Sequence, residues 1–201
     1  VGALDLGFVP GEGSLDAFGI SHRGEVDVIY NLGADEIDIP AGPFVIYQGT
    51  HGDRGAHRAD VILPGAAYSE KSGTYVNTEG RVQMATRAAF PPGEAREDWA
   101  ILRALSDALG SKLPYDSLDA LRQAMFKAHP HLMRVGQIAP GDPGDIAKLA
   151  KLGGSHEKAP LRSAVTDFYL TNPIARASAI MAECSALAQA AAKKPSMTAA
   201  E

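Results

Sequence analysis

The densest cluster of potentially reactive side chains is Gly49-Thr-His-Gly-Asp-Arg-Gly-Ala-His-Arg-Ala-Asp60. His51, Asp53, His57 and Asp60 are donor types that could hold a metal ion and activate a water for hydrolysis. His51 and His57 are six residues apart, which matches neither the helical i, i+4 pair nor a finger spacing, and Arg54 and Arg58 would oppose a cation. Arg54 and Arg58, with Arg81 further along, are instead anion-site candidates for a phosphate or a pterin or nucleotide phosphate. The phosphate-loop pattern Gly-x-x-x-x-Gly-Lys-Ser/Thr and the dinucleotide pattern Gly-x-Gly-x-x-Gly are both missing from this stretch. The plainest reading is a polar loop whose side chains bond one another and the backbone.

The remaining candidates have structural explanations. Glu70-Lys71-Ser72 suggests a Ser–Lys nucleophile pair, but adjacent residues on an extended chain face opposite ways, so Lys71 would not serve Ser72. Cys184 lies on the expected inner stripe of a helix with no base beside it, as a small core residue does. His129 and His131 flank Pro130 at a helix end, where the dipole favours a charged imidazole. Trp99 reads as a core anchor. From the residues alone no catalytic residue and no metal ligand is assigned.

Any such groups must be positioned by a small set of elements. Residues 27–32, 44–47 and 61–63 are short β-branched and aromatic runs bounded by Gly or Pro, which read as buried strands. Their near-continuous apolar character points to a parallel sheet covered on both faces, with brief crossovers. Residues 73–84 read as extended, turn, extended, with Gly80 able to take a positive φ in the turn. A short helix is expected near residues 15–18. A longer one at 96–109 carries Trp99, Leu102, Leu105 and Leu109 on one stripe and Gly110 as its cap. Asp116 or Ser117 caps the next helix, with Leu118, Leu121 and Met125 inward and Pro130 at its end. A short helix is expected at 145–152. A final helix runs over 173–192, with Asn172 as N-cap, Pro173 at its first position and an inner stripe of Ile174, Ala177, Met181, Cys184 and Ala188, with Leu187 beside its end. Lys193 and Lys194 then sit at the negative end of its dipole, and 195–201 form a tail.

The chain has 201 residues, 45% hydrophobic and 21% charged, which excludes a wholly disordered polypeptide. A net charge of −5 argues against nucleic-acid binding. The longest nearly apolar stretch, residues 179–192, is too short and too polar for a spanning helix, so no direct membrane insertion is expected. One cysteine, Cys184, can build neither an intrachain disulfide nor a sulfur-ligated cluster. The chain begins at Val1 and is read as a piece of a longer protein.

Residues 58–83, Arg-Ala-Asp-Val-Ile-Leu-Pro-Gly-Ala-Ala-Tyr-Ser-Glu-Lys-Ser-Gly-Thr-Tyr-Val-Asn-Thr-Glu-Gly-Arg-Val-Gln, resemble a hallmark of the molybdopterin oxidoreductase superfamily. That hallmark is Ala-Asp-Val-hydrophobic-Leu-Pro, then Glu-Lys-x-Gly-Thr, then Asn-x-Glu-Gly-Arg-x-Gln. Residues 49–60 and 167–182, Asp-Phe-Tyr-Leu-Thr-Asn-Pro-Ile-Ala-Arg-Ala-Ser-Ala-Ile-Met-Ala, resemble the large iron–sulfur subunits of respiratory complex I, a branch of that superfamily. The resemblance implies an α/β fold, a Rossmann-like, mostly parallel sheet flanked by helices, with a helical C-terminal extension. It implies an α/β domain over residues 1–130 and a loop-rich segment with a C-terminal helix over 131–201. It further implies a non-catalytic scaffold region of a peripheral-arm subunit of NADH:quinone oxidoreductase, whose partners are the other peripheral-arm subunits. The implied location is the cytoplasmic side of a bacterial inner membrane, or the matrix side in a mitochondrion. Cofactors are expected to be absent from this segment, with iron–sulfur clusters in a Cys-rich N-terminal part. The alternatives are a ligand-binding module holding a pterin or nucleotide phosphate near Arg54, Arg58 and Arg81, and a metal hydrolase using His51, Asp53 and His57.

Overall fold

The computed structural model describes residues 1–22, 24, 26–155 and 158–192. Lys193, Lys194 and the expected tail at 195–201 lie outside the described residues. Two short helices, α1 (Gly2–Asp5) and α2 (Ala17–His22), come first. The parallel strands follow as β1 (Val28–Leu32), β2 (Phe44–Gly49) and β3 (Val61–Pro64), with α3 (Arg54–Arg58) between the last two. A hairpin of β4 (Gly73–Val76) and β5 (Val82–Ala85) precedes α4 (Asp98–Ala108) and α5 (Leu118–Ala128). The chain then passes through a 3-10 turn at Pro130–Met133, α6 (Pro143–Ala150), a second 3-10 turn at Phe168–Leu170, α7 (Pro173–Arg176) and α8 (Ala179–Ala192).

The architecture is α/β, and the three β-branched runs do form one parallel sheet in the order β1-β2-β3. Register places Ile29 beside Val45, and Tyr47 beside Ile62. Side chains alternate across a strand, so Ile29, Asn31, Val45 and Tyr47 share one face, and all four are buried. α3 lies against that face. A Cβ on Gly55 would stand 2.8 Å from Asn31 Nδ2 and 3.0 Å from the Ala34 carbonyl oxygen, so only glycine lets the helix approach this closely.

The opposite face corrects one expectation. Among the described residues the sheet is not covered on both sides: Val28, Leu32, Phe44 and Val61 are exposed there. Only its carboxyl end is closed, where Asp98 at the start of α4 meets the fully buried Gln48. Continuous apolar strands signal the capacity for two-sided burial, and the described residues supply a cover for one side and part of the other.

Other elements follow local rules. The β4–β5 hairpin is antiparallel, with Asn77 Oδ1 accepting from the amides of Glu79 and Arg81 and Gly80 at φ 80°. Ser117 caps α5 through a bond from the Ala120 amide, 3.1 Å. Leu109 departs from its expected inward stripe, because α4 stops at Ala108 and leaves Leu109 73% exposed. The early helix begins two residues later than expected, at Ala17, and α6 begins two residues earlier, at Pro143, where Asp142 caps it.

The expected single helix over 173–192 is two helices. Asn172 caps α7 as expected, by accepting from the Ala175 amide at 2.9 Å, but the chain leaves the helix at Ala177. A new helix begins just after Ser178, whose hydroxyl accepts from the Met181 amide. The inner stripe changes with that break. Met181 and Cys184 are half-buried and Ser185 is buried, while Ile174, Ala177, Leu187 and Ala188 are exposed. Ser185 faces inward because its hydroxyl donates to Asp167, a polar contact that apolar periodicity does not register.

Gly55→Ala tests the close approach of α3. Alanine in a solvent-facing helix would gain about 0.5–1 kcal/mol; here the added methyl is expected to cost about 1–3 kcal/mol in urea unfolding.

Candidate functional site

Open parallel sheets take ligands at the carboxyl ends of their strands. A cleft of about 690 Å³ lies there, beside Leu32 and Gly33 after β1 and Gln48, Gly49 and Thr50 at the end of β2. Tyr68, Lys71 and Asp98 form a second side, and Pro173, Ile174 and Met181 of the C-terminal helices a third.

The polar groups of the cleft are wired to one another. The Tyr30 hydroxyl donates to Gln48 Oε1, Gln48 Nε2 donates to Asp98 Oδ1 at 2.8 Å, and Lys71 Nζ pairs with Asp98 Oδ2. Burial, and then the negative charge of Asp98, push the Tyr30 hydroxyl above its ordinary pKa. On the other face of the sheet, the Tyr47 hydroxyl donates to Asp35 Oδ1 at 2.7 Å, with the His51 carbonyl 3.1 Å away. Burial, and then the Asp35 carboxylate, hold Tyr47 strongly protonated. Asn31 closes the turn after β1 by bonding both the amide and the carbonyl of Ala34, at 3.0 and 3.1 Å.

The residues singled out from the sequence are dispersed among other tasks. Asp53 caps α3 by accepting from the Arg54 amide and pairs with Arg176. Asp60 accepts from the Val45 amide at 2.8 Å. His51 Nδ1 bonds the Thr50 hydroxyl at 2.9 Å, and the His57 amide bonds the Asp53 carbonyl. Among the described residues no three His, Cys, Asp or Glu side chains converge where a metal ion could be held. Of the anion-site candidates, Arg54 pairs with both oxygens of Asp38 at 3.1 and 3.2 Å. Arg58 donates to the carbonyls of Pro40 and Pro43 and lies 3.5 Å from Asp60, and Arg81 lies 3.6 Å from Glu79 across the hairpin turn. The structure does not bring the three together: two sit on α3 and one on the hairpin. Glu70 accepts from the Ala67 amide. Lys71 and Ser72 are separated as expected, since the Ser72 hydroxyl accepts from the Arg87 amide while Lys71 turns into the cleft. Trp99 is half-buried and donates to Glu97 at 2.9 Å.

Sequence reasoning missed the groups that matter most here: Tyr30, Asp35, Gln48, Asp98, Asp167 and Arg176. Asn31 and Gln48 carried the available signal, being amide side chains inside otherwise apolar strand runs. A second cleft of about 620 Å³ holds Arg54 and Arg176 with Asp35, Glu36, Asp53 and Asp167. Arg176 bonds Asp53, Glu36 at 3.0 Å and the Leu170 carbonyl at 3.1 Å. The Arg176 guanidinium holds the Asp53 carboxyl below the usual carboxylate range, and the Ser185 hydroxyl does the same for Asp167.

The molybdopterin oxidoreductase profile matches residues 1–108, and a second profile, for the C-terminal part of an NADH-ubiquinone oxidoreductase subunit, matches residues 137–184. The chain is 49% identical over 194 residues to the mitochondrial NADH-ubiquinone oxidoreductase 78 kDa subunit of Candida albicans, covering 92% of this chain and 26% of that protein. The Neurospora crassa 78 kDa subunit is 44% identical over 193 residues, covering 92% of this chain and 25% of the relative. The Reclinomonas americana NADH-ubiquinone oxidoreductase 75 kDa subunit is 46% identical over 192 residues, covering 93% and 27%. The chain thus spans about a quarter of the length of these relatives.

A molybdopterin cofactor, implied by that family, does not fit the donor set of the strand-end cleft. An anionic pterin phosphate needs cations and free N–H donors. Among the described lining residues the one basic side chain is Lys71, which Asp98 already engages, and Asp35 adds a second carboxylate. The chain's own Pro173, Ile174 and Met181 occupy a wall of the cleft.

Tyr47→Phe tests the wiring. Removing one hydroxyl leaves Asp35 buried without its donor and is expected to cost about 1–3 kcal/mol of stability by chemical denaturation.

Proposed function

The chain belongs to the molybdopterin oxidoreductase family, and we propose that it is a scaffold region of a peripheral-arm subunit of an NADH:quinone oxidoreductase, without an active site of its own. The observation that carries this reading is that the charged side chains of the strand-end cleft are already engaged: Lys71 with Asp98, Asp98 also with Gln48, and Asp35 with Tyr47. A carboxylate and an ammonium so paired have little capacity left to bind or protonate a substrate. The names of the relatives, all NADH-ubiquinone oxidoreductase subunits, support the assignment to that complex.

On this reading electrons pass through iron–sulfur clusters held outside these residues. Each cluster takes several cysteine thiolates, and the one cysteine here, Cys184, is half-buried in α8. The partners are the other subunits of the complex. The assembly is associated with a membrane, while among the described residues no helix is long and apolar enough to cross one. The side of attachment is the cytoplasmic face in a bacterium or the matrix face in a mitochondrion. The same reading divides the chain near residue 130 into an α/β domain and a loop-rich segment with C-terminal helices. Buried Leu132 and the bond from the Gly136 amide to the Val82 carbonyl, 2.7 Å, support placing the end of the first unit a few residues later.

Lys71→Ala and Asp98→Asn in the intact complex test the proposal. NADH:quinone turnover per assembled complex is expected to stay unchanged, with any loss confined to the amount assembled. A severalfold fall in turnover at normal assembly would show that the cleft takes part in the reaction.

A further inference from the structure

The C-terminal helices form a small body of their own. α7, α8 and the Phe168–Leu170 turn pack on one another. Asp167 ties them together by accepting from the Tyr169 amide at 2.9 Å and from the hydroxyl of Ser185 on α8. Gln189, one turn further along α8, also donates to Asp167, at 3.4 Å. The tether that leads to this body is long: the described residues between 134 and 166 are exposed throughout.

Its attachment to the sheet is narrow. Among the described residues, every hydrogen bond and ion pair that crosses from residues 138–192 to residues 1–136 comes from one side chain, Arg176. The guanidinium grips Asp53, at the head of α3, and Glu36, in the loop after β1. Apolar contact adds little, since Ile174 is exposed and Met181 only half-buried where they face the strand-end cleft. The grip is also imperfect, because buried Arg176 Nη2 has no protein partner among the described residues. A buried donor left unmatched raises the free energy of the closed arrangement.

We propose that residues 167–192 are a strap, latched by Arg176 across the carboxyl ends of the parallel strands, whose release opens the strand-end cleft while the sheet domain stays folded. Cooperativity is unequal between the two sets of bonds. The strap's internal bonds are several and local, so it can move as a unit. Its bonds to the sheet converge on one half-buried side chain, so the opening free energy is set by that contact and not by the global stability. Once Pro173, Ile174 and Met181 move away, the cleft loses one wall, and Gln48 and Gly49, buried and half-buried in the closed arrangement, gain access to solvent. The inference goes beyond the scaffold reading and does not depend on it.

Hydrogen exchange read peptide by peptide, on the complete protein, tests the latch. The variants are Arg176→Ala, which removes it, and Asp53→Asn, which keeps an oxygen to cap α3 but removes the charge. Arg54→Ala serves as control, since Arg54 pairs with exposed Asp38. The two latch variants are expected to speed exchange by about tenfold or more in residues 167–192 and at 48–50, with the β2 core at 44–47 and the hairpin unchanged. Cys184 should label faster with a maleimide in the same variants, and about 1 M salt should act on the native chain in the same direction. Arg54→Ala should do none of this. Unchanged exchange and labelling in both latch variants overturns the proposal. A loss of protection that spreads into the β2 core at 44–47 in both variants also overturns it, because residues 167–192 would then belong to the main folding unit.

Discussion

Buried polar groups must find partners, and that requirement shapes the carboxyl ends of β1 and β2. Gln48 is fully buried in the central strand, with Asn31 and Asp35 nearly so beside it. Each would cost on the order of a few kcal/mol if left unmatched in an apolar setting. The chain meets the demand internally: Tyr30 and Asp98 take the two ends of the Gln48 amide, Tyr47 takes Asp35, and the backbone of Ala34 takes Asn31. The same bonds that make the fold tolerable remove these groups from ligand chemistry. On the proposed reading, the place where an open α/β sheet ordinarily binds a ligand is thereby turned into a structural joint.

The joint explains the fate of the polar loop at 49–60. Its side chains could be drawn as a metal or phosphate site, yet most of them have a neighbour to hold. Asp53 heads α3 and receives Arg176, Asp60 anchors the start of β2 through the Val45 amide, and Arg58 gathers the carbonyls of Pro40 and Pro43. Glycine has a matching role at Gly55, where contact with Asn31 and Tyr47 leaves no room for a methyl group. A loop dense in Gly, Arg and Asp is therefore as consistent with tight packing of a short crossover as with binding.

Much of the fold is legible in the sequence because its signals are local. The three β-branched runs, the turn of the hairpin, Ser117 at the head of α5 and Asn172-Pro173 at the head of α7 each sit within a few residues of the structure they specify. The one-sided cover of the sheet is not legible, because it depends on which elements pack where. The break after α7 is hidden because Ala177 and Ser178 are compatible with a continuous helix; it becomes intelligible only with the hydroxyl of Ser178 capping α8. The site is harder still. Arg176 and Asp53 are 123 residues apart, and Gln48 and Asp98 are 50 apart, so no spacing rule connects them. The resemblance to the complex I subunits points to residues 49–60 and 167–182 separately, and the structure places them against each other through Arg176.

The proposed function rests on the claim that the strand-end cleft serves shape and not binding. Calorimetry of the complete protein with a molybdopterin guanine dinucleotide, beside Lys71→Ala, tests that claim most directly. No binding heat at high ligand concentration in either protein is the predicted result. A stoichiometric heat that vanishes in Lys71→Ala would contradict it.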